Sequence, residues 1–274
     1  MNVRSKRQRF FLNPFEKLNI NKRQRYIIGV VFLSLGLFLS EYLLGKSGFA
    51  FSILLAFVAD VFILWANHDD IKENMFSPIF ILPFFFSLSF ALFYFLVPNR
   101  LLARVIITSL YAVGLYSLFL SQNIFTVASI RTIALLSSAR TVSFILTLVS
   151  YFFLANIIFS LDLSLIPTSA FLLAASFFLI LHSIWTYTLD QKFFSQFLWV
   201  LALAFCIVEM SLILWFWPSN PTIIALFLTG FFYTLVGLSH VWFEKRLFRG
   251  IIWEYVWVAV VVSIILILST SWRG

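Results

Sequence analysis

Charged residues are scarce in this sequence, and their scarcity bears on the solvent in which the chain folds. Only 11% of the 274 residues are Asp, Glu, Lys or Arg, whereas 62% are hydrophobic. A soluble domain is about a quarter charged and about half apolar. A water-soluble fold of this length could not bury so much apolar surface. The composition therefore excludes an ordinary soluble domain and indicates that lipid surrounds most of the chain.

Cysteine and the common catalytic motifs are also nearly or wholly missing. The one cysteine, Cys206, lies in an apolar run, so neither an intrachain disulfide nor a cysteine-based metal cluster can form. The sequence has no GxSxG nucleophile elbow, no HExxH zinc motif, no P-loop and no dinucleotide fingerprint. We expect no metal, no cofactor and no catalytic residue, and we favour a protein that is not an enzyme. One polar turn lacks the spacing of a metal site and is interpreted as solvated; its members are His68, Asp69, Asp70 and Glu73.

Long apolar stretches make up most of the sequence, and each is near the ~20 residues that a helix needs to cross a bilayer. Lipid cannot satisfy backbone polar groups, so only helices or closed barrels span it. Barrel strands alternate polar and apolar residues over ~10 positions, whereas these stretches are apolar on all sides and about twice as long. This pattern predicts an all-α fold, a polytopic transmembrane helix bundle with about nine spans. The predicted spans are residues 26–44, 49–65, 79–97, 101–121, 141–160, 167–187, 197–217, 222–241 and 253–268.

The distribution of basic residues predicts the orientation of these spans. Residues 1–25 form a basic arm, and residues 26–274 form a single transmembrane domain. The positive-inside rule then predicts a multi-pass protein of the cell membrane, with a cytoplasmic N-terminus and, after nine spans, an external C-terminus. In this orientation the outer side holds few of the 19 Lys and Arg residues, namely Lys46, Arg100, Arg104 and Arg273.

The formal net charge of +8 is interpreted in agreement with this orientation. In a soluble protein such a charge would point to nucleic acid. Here the basic residues lie in one arm and in short loops, which favours anionic lipid at the cytoplasmic face as the partner and not nucleic acid. The arm also contains aromatic residues, so it suits a segment on an anionic leaflet, although a disordered tail that only fixes orientation is an alternative. Lys245, Arg246 and Arg249 are candidates for contact with anionic lipid or phosphate.

The segment at residues 121–140 does not fit the nine-span pattern. It is too apolar for an ordinary loop, yet Arg131 lies near its middle, and a central arginine is costly in lipid. An in-plane interfacial helix, a re-entrant piece, an extension of the fifth span and a tenth span are all compatible with the segment. We expect the interfacial arrangement.

Four ionisable residues fall where lipid is expected, and a charge in lipid is costly enough to make each a functional candidate. Asp60 and His182 lie at similar depth toward the cytoplasmic ends of the second and sixth spans. Glu209 lies near the centre of the seventh span and must face the bundle or be protonated, and Glu41 lies near the outer end of the first. Asp60, His182 and Glu209 could relay protons. The alternative, which we favour, is that these groups hold helices together.

The C-terminal quarter carries a family resemblance. The stretches LWFWPSNP at 214–221 and FFYTLVGL at 231–238, followed by Glu254-Tyr255, resemble uncharacterised multi-span integral membrane proteins of bacterial candidate phyla. The resemblance implies a bacterial inner-membrane protein and transfers no functional residue.

The residues and their pattern leave three classes of function open. The first is a non-catalytic membrane component, which the lack of catalytic motifs favours. The second is a small proton-coupled transporter or channel that uses Asp60, His182 and Glu209. The third is an intramembrane enzyme that acts on lipid-linked substrates. In this enzyme Lys245, Arg246 and Arg249 would bind phosphate beside a carboxylate.

Overall fold

Helices account for nearly all of the structure, a computed structural model that describes residues 21–44, 48–71, 78–97, 100–128, 134–189 and 196–270. Within those ranges there are nine helices long and apolar enough to cross a membrane, and there are no strands. The prediction of an all-α fold with about nine such helices is confirmed. The helices are α1 (Lys22–Leu44), α2 (Gly48–Ile71), α3 (Ile81–Leu96), α4 (Leu101–Ala128), α5 (Leu136–Ser160), α6 (Leu165–Thr188), α7 (Phe197–Trp215), α8 (Pro221–Phe243) and α9 (Arg249–Leu268).

Successive helices run in alternating directions, so helix ends form two opposite faces of the bundle. Tyr26, near the start of α1, donates a hydrogen bond to Asn67 Oδ1 near the end of α2. The hydroxyl of Tyr94, near the end of α3, lies 3.4 Å from the carbonyl oxygen of Phe38 in the second half of α1. We call the end of the bundle where α1 begins the N-terminal face, and the end where α9 finishes the C-terminal face.

Helix α5 is the centre of the bundle and α9 lies at its edge. α5 packs against α3, α4, α6 and α8, whereas α9 packs chiefly against α8. In α5, 56% of the apolar span is buried inside the bundle, whereas in α9 only 6% of the span is buried. At the centre, the rings of Tyr151 in α5 and Phe232 in α8 stack with centroids 4.5 Å apart. Side chains that leave α5 can therefore reach four neighbouring helices.

The described part of residues 121–140 is divided between α4 and α5, so residues 121–128 and 134–140 do not form the separate interfacial segment that we expected. α4 continues to Ala128 and α5 begins at Leu136, while residues 129–133, with Arg131, lie outside the described residues. No Gly or Pro occurs from Ser121 to Ala128, so α4 continues through these residues. Gln122 and Phe125 in the last turns of α4 are buried in the bundle. At about 1.5 Å per residue, α4 is roughly 42 Å long, which exceeds a ~30 Å hydrocarbon core, so in a membrane it would tilt or project.

Candidate functional site

A cluster of polar side chains lies between α4, α5, α6 and α8 near the N-terminal face. Because lipid offers no hydrogen bonds, polar groups in a bundle must find their partners inside it. The members of this cluster bond to one another and to backbone carbonyls. We call the set the polar cluster; it comprises Gln122, Arg140, Ser143, His182, Ser183, Tyr187, His240 and Glu244.

His182 in α6 is fully buried and links α6 to three other parts of the chain. Its Nδ1 is 2.9 Å from the carbonyl oxygen of Pro78, in the short turn before α3. A carbonyl can only accept, so Nδ1 carries the proton, and Nε2 is the acceptor because the Gln122 amide nitrogen beside it can only donate. Nε2 lies 3.2 Å from Ser143 Oγ in α5 and 3.4 Å from Gln122 Nε2 in α4. One neutral imidazole thus connects α4, α5, α6 and the start of α3.

His240 in α8 forms a second buried contact between helices. Its Nε2 is 3.0 Å from the hydroxyl oxygen of Ser183 in α6. Its ring stacks on Tyr187 with centroids 3.9 Å apart and meets the ring of Phe144 in α5 at 4.8 Å. A histidine in the last turn of α8 could be an interfacial residue, but His240 is only 3% exposed. Aromatic neighbours on α5 and α6 exclude solvent from this imidazole.

Arg140, in the second turn of α5, binds the end of α6. Its Nε donates to the carbonyl of Thr186 at 3.0 Å and its Nη2 to that of Tyr187 at 2.9 Å. The last carbonyls of a helix lack partners within the helix and carry partial negative charge, so a guanidinium is favourable there. Nη1 also lies 3.5 Å from Glu244 Oε1 just after α8, and the guanidinium stacks 4.8 Å from the ring centre of Tyr187. Arg140 therefore joins α5, α6 and α8.

The chemistry open to the polar cluster is limited by its burial. Two serine–histidine pairs have the separation of a nucleophile and its base. Ser143 Oγ lies 3.2 Å from His182 Nε2, and Ser183 Oγ lies 3.0 Å from His240 Nε2. These four side chains are at most 3% exposed, so a substrate cannot reach either hydroxyl. The second nitrogen of His182 bonds a backbone carbonyl and not an orienting carboxylate. The arrangement is that of polar side chains that fasten helices together.

The candidate relay residues do not come together in the fold. Both ring nitrogens of His182 are engaged by groups other than Asp60. Asp60 in α2 is half-buried, and its Oδ1 has no hydrogen-bond partner among the described residues. Glu209 lies on the exposed side of α7 and does not face the bundle. Glu41 falls within α1, but its side chain lies outside the described residues. The pairing of Asp60 with His182 that the sequence allowed is not formed.

Glu209 provides a prediction about the outer surface of α7. Phe205 and Ile213, one turn away on either side, are 48% and 58% exposed, so Glu209 shares a stripe of α7 that faces lipid in a membrane. We expect Glu209→Leu to favour membrane insertion of α7 by about 2 kcal/mol, because an acidic residue near the centre of a span is costly. Reporter glycosylation on either side of α7 measures this insertion. A less favourable insertion or a less stable protein would instead mean that Glu209 bonds a partner.

The basic candidates lie on the loop between α8 and α9. Lys245, Arg246 and Arg249 are all exposed, and the side chain of Arg246 is 72% exposed. The nearest carboxylate, Glu244, lies 3.5 Å from Arg140 and 3.9 Å from Arg246. These residues share the N-terminal face with the polar cluster and are exposed, and Glu244 connects Arg246 to the cluster. The loop is therefore a surface feature and the polar cluster an internal one.

Parts of the proposed polar turn between α2 and α3 lie outside the described residues. These are the side chains of His68, Asp69 and Asp70, together with Glu73. In the part of the chain that the structure describes, no group of three His, Cys, Asp or Glu residues could hold a metal ion.

Sequence reasoning named His182 but missed the rest of the polar cluster as a site. Arg140 resembles a charge that sets topology, and Tyr187 resembles a residue of the aromatic belt. A usable signal lies in α6, where His182, Ser183, Thr186 and Tyr187 recur at i, i+1, i+4 and i+5. Such positions share one side of a helix, so a polar stripe at the end of α6 could have been predicted.

The fold and the polar cluster define a class: a helical protein with membrane-compatible helices fastened by buried polar contacts. Residues 26–269 match the sequence profile described as "Protein of unknown function (DUF5656)", and the chain belongs to this family. The match extends from α1 to α9 and not only over the C-terminal quarter. Membership in an uncharacterised family agrees with the resemblance seen in the sequence. No curated protein and no solved structure matches the chain.

Proposed function

We propose that this protein is a non-catalytic component of a bacterial inner membrane, a helical scaffold that binds anionic phospholipid at its N-terminal face. That face lies in the cytoplasm and the C-terminus lies outside. Lys245, Arg246 and Arg249 contact the lipid phosphate. The observation that carries the proposal is the exposure of these three residues beside exposed apolar side chains.

The surroundings of the loop suit a membrane interface. We call residues 244–249 the basic loop. Within it Leu247 and Phe248 are 42% and 60% exposed, and Trp242 and Trp253 on either side are similarly exposed. Basic residues beside Trp and Phe are typical of segments that lie between headgroups and acyl chains. The loop can thus offer charge to phosphate while its apolar side chains enter the membrane surface.

The shape of the basic loop is fixed by the end of α8. The backbone N–H of Lys245 bonds the Trp242 carbonyl at 3.0 Å, and that of Arg246 bonds the Val241 carbonyl at 3.1 Å. This is the Schellman pattern of a helix end, and glycine usually occupies the position of Lys245. Lys245 has a φ of 55°, which costs a non-glycine residue roughly 1 kcal/mol. A lysine at this position supports a role for its charge.

The charge distribution of the described residues supports the proposed sidedness. Positive charge attracts a protein face to the anionic cytoplasmic leaflet. Basic residues at the C-terminal face are Arg100 and Arg104, whereas those at the N-terminal face are Lys22, Arg23, Arg25, Arg140, Lys245, Arg246 and Arg249.

The proposal predicts selective loss of anionic lipid when the basic loop loses its charges. In the triple variant Lys245→Gln, Arg246→Gln and Arg249→Gln, we expect retention of phosphatidylglycerol to fall at least about tenfold, because each basic residue near a membrane contributes ~1 kcal/mol. Native mass spectrometry of the purified protein with phosphatidylglycerol or phosphatidylcholine measures retention. Phosphatidylcholine should show no comparable change.

Two single variants act as controls. Lys245→Gly removes one charge and relieves the left-handed strain, so it should weaken phosphatidylglycerol binding while the protein becomes no less stable. Arg100→Gln removes an exposed charge at the opposite face and should leave binding unchanged. The proposal is wrong if Lys245→Gly and the triple variant both retain phosphatidylglycerol as the unaltered chain does.

The other two classes of function have less support. A proton-coupled transporter needs Asp60, His182 and Glu209 to converge, but both nitrogens of His182 bond other groups and Glu209 lies on the exposed side of α7. An enzyme on lipid-linked substrates needs a groove lined by the basic loop, but the three basic side chains are exposed.

A further inference from the structure

A cavity of about 270 Å³ opens at the C-terminal face, far from both the polar cluster and the basic loop. It lies where the connection from α5 to α6 meets the connection from α7 to α8. Its wall combines polar and aromatic side chains, which are Phe159, Asp162, Thr168, Trp215, Trp217 and Ser219. Drug-sized ligands occupy roughly 300–1,000 Å³, so this cavity suits a smaller group.

The two tryptophans that line the cavity give it carbon surface, because their indole N–H groups donate hydrogen bonds elsewhere. Trp215 Nε1 donates to the carbonyl of Leu163 at 3.3 Å. Trp217 Nε1 donates to Thr270 Oγ1, just after α9, at 2.7 Å. With both indole N–H groups engaged elsewhere, the rings offer carbon surface to the cavity, and the faces of such rings carry negative charge. Such surfaces attract cations.

The polar part of the wall offers acceptors. Asp162 supplies a carboxylate at the mouth of the cavity, where the residue is exposed. Ser219 Oγ is buried and has no hydrogen-bond partner in the described part of the chain. The Thr168 hydroxyl donates to the Ser164 carbonyl at 3.0 Å and keeps its lone pairs as acceptors. No basic residue is among those that line the cavity.

We propose that this cavity binds a primary ammonium group, such as that of ethanolamine. The Asp162 carboxylate and the Ser219 hydroxyl accept its N–H donors, and the rings of Trp215 and Trp217 cover its positive charge. A ligand with a phosphate or carboxylate group would instead be repelled by the Asp162 carboxylate, and no basic residue in the cavity wall would offset that repulsion. A quaternary ammonium has no N–H to give to Ser219 and should bind less well than a primary one.

The position of the cavity allows two sources of the ammonium group. The ends of spanning helices, with their tryptophans, lie at the level of lipid headgroups. The ligand is therefore either the headgroup of an ethanolamine phospholipid or a free amine from the aqueous side. The chemistry of recognition is the same for both.

The experiment compares lipids and a free amine on the purified full-length protein. Native mass spectrometry with phosphatidylethanolamine, phosphatidylcholine and phosphatidylglycerol reports which lipid is retained, and thermal unfolding with millimolar ethanolamine reports the free amine. We expect Asp162→Asn to weaken the ethanolamine ligand at least tenfold. The substitution preserves side-chain size, and Asn tolerates the left-handed backbone that Asp162 adopts at a φ of 45°.

Two further variants separate the site from general effects. Ser219→Ala should weaken binding less than Asp162→Asn, whereas Glu254→Gln, an exposed acid at the opposite face, should have no effect. Stabilisation by free ethanolamine identifies a soluble amine, and retention of phosphatidylethanolamine without it identifies a lipid. The proposal fails if Asp162→Asn binds both ethanolamine probes as well as the unaltered chain, if Asp162→Asn lowers phosphatidylglycerol retention to the same extent, or if neither ethanolamine probe binds.

Discussion

Replacing Arg140 with alanine is expected to lower the free energy of unfolding by roughly 3 kcal/mol. The substitution removes hydrogen bonds to the Thr186 and Tyr187 carbonyls and the ion pair with Glu244. It leaves the end of α6 without the donors that satisfy it, and hydrogen bonds to a charged group contribute about 1.5–3 kcal/mol. Reversible denaturation in mixed micelles measures the change. We expect cooperative unfolding to be retained with an earlier midpoint.

Two controls test whether the guanidinium geometry matters and not the charge alone. Arg140→Lys keeps a positive charge but cannot bind two carbonyls and a carboxylate in one plane, so it should restore at most part of the stability. Arg100→Ala removes an exposed arginine at the opposite face and should change little. The anchoring role is contradicted if Arg140→Ala is no more destabilising than Arg100→Ala, or if Arg140→Lys restores full stability.

The fold was largely predictable because the solvent imposes it. Apolar runs of sufficient length can satisfy their backbone in lipid only as helices, so composition and length alone predicted nine helices. The predicted bounds are close except at the ends of α2 and α4 and at the start of α5. The failure at residues 121–140 has a physical cause. Hydropathy reports cost in lipid but not helix continuity, so α4 was ended near Ser121 although no helix breaker occurs before Ala128.

The polar cluster was less predictable because partners in a bundle are chosen by packing. His182 could be singled out as costly, but its partners Pro78 and Gln122 lie more than 50 positions away in the chain. Glu209 was expected to face the bundle or be protonated, and only helix rotation decides which side it takes. Span 7 is apolar all round, so its sequence contains no stripe from which that rotation could be read.

The position of α9 should depend on two glycines of α8. Gly230 and Gly237 are two turns apart and face α9. A Cβ at Gly230 would lie 2.7 Å from Cγ1 of Val262, and one at Gly237 would lie 2.3 Å from Cε1 of Tyr255. A valine in a helix has one favoured rotamer and cannot move aside, whereas a tyrosine ring can swing at some cost. Gly230→Leu should therefore destabilise the α8–α9 contact by about 2 kcal/mol, the middle of the range for overpacked interiors.

The combined variant Gly230→Leu and Gly237→Leu is expected to displace α9 altogether. Since α9 packs chiefly against α8 and only 6% of its span is buried, little besides the Trp217–Thr270 hydrogen bond at its far end could hold it in place. Displacement should increase trypsin cleavage at Lys245, Arg246 and Arg249 several-fold, because the bonds that shape the basic loop lose their support. Gly250→Ala is the matched control, since a Cβ there meets nothing within 4 Å. Equal cleavage rates in the double variant and in Gly250→Ala would show that close approach at these glycines does not hold α9, and α9 would then have to be fixed through the Trp217–Thr270 contact at its far end.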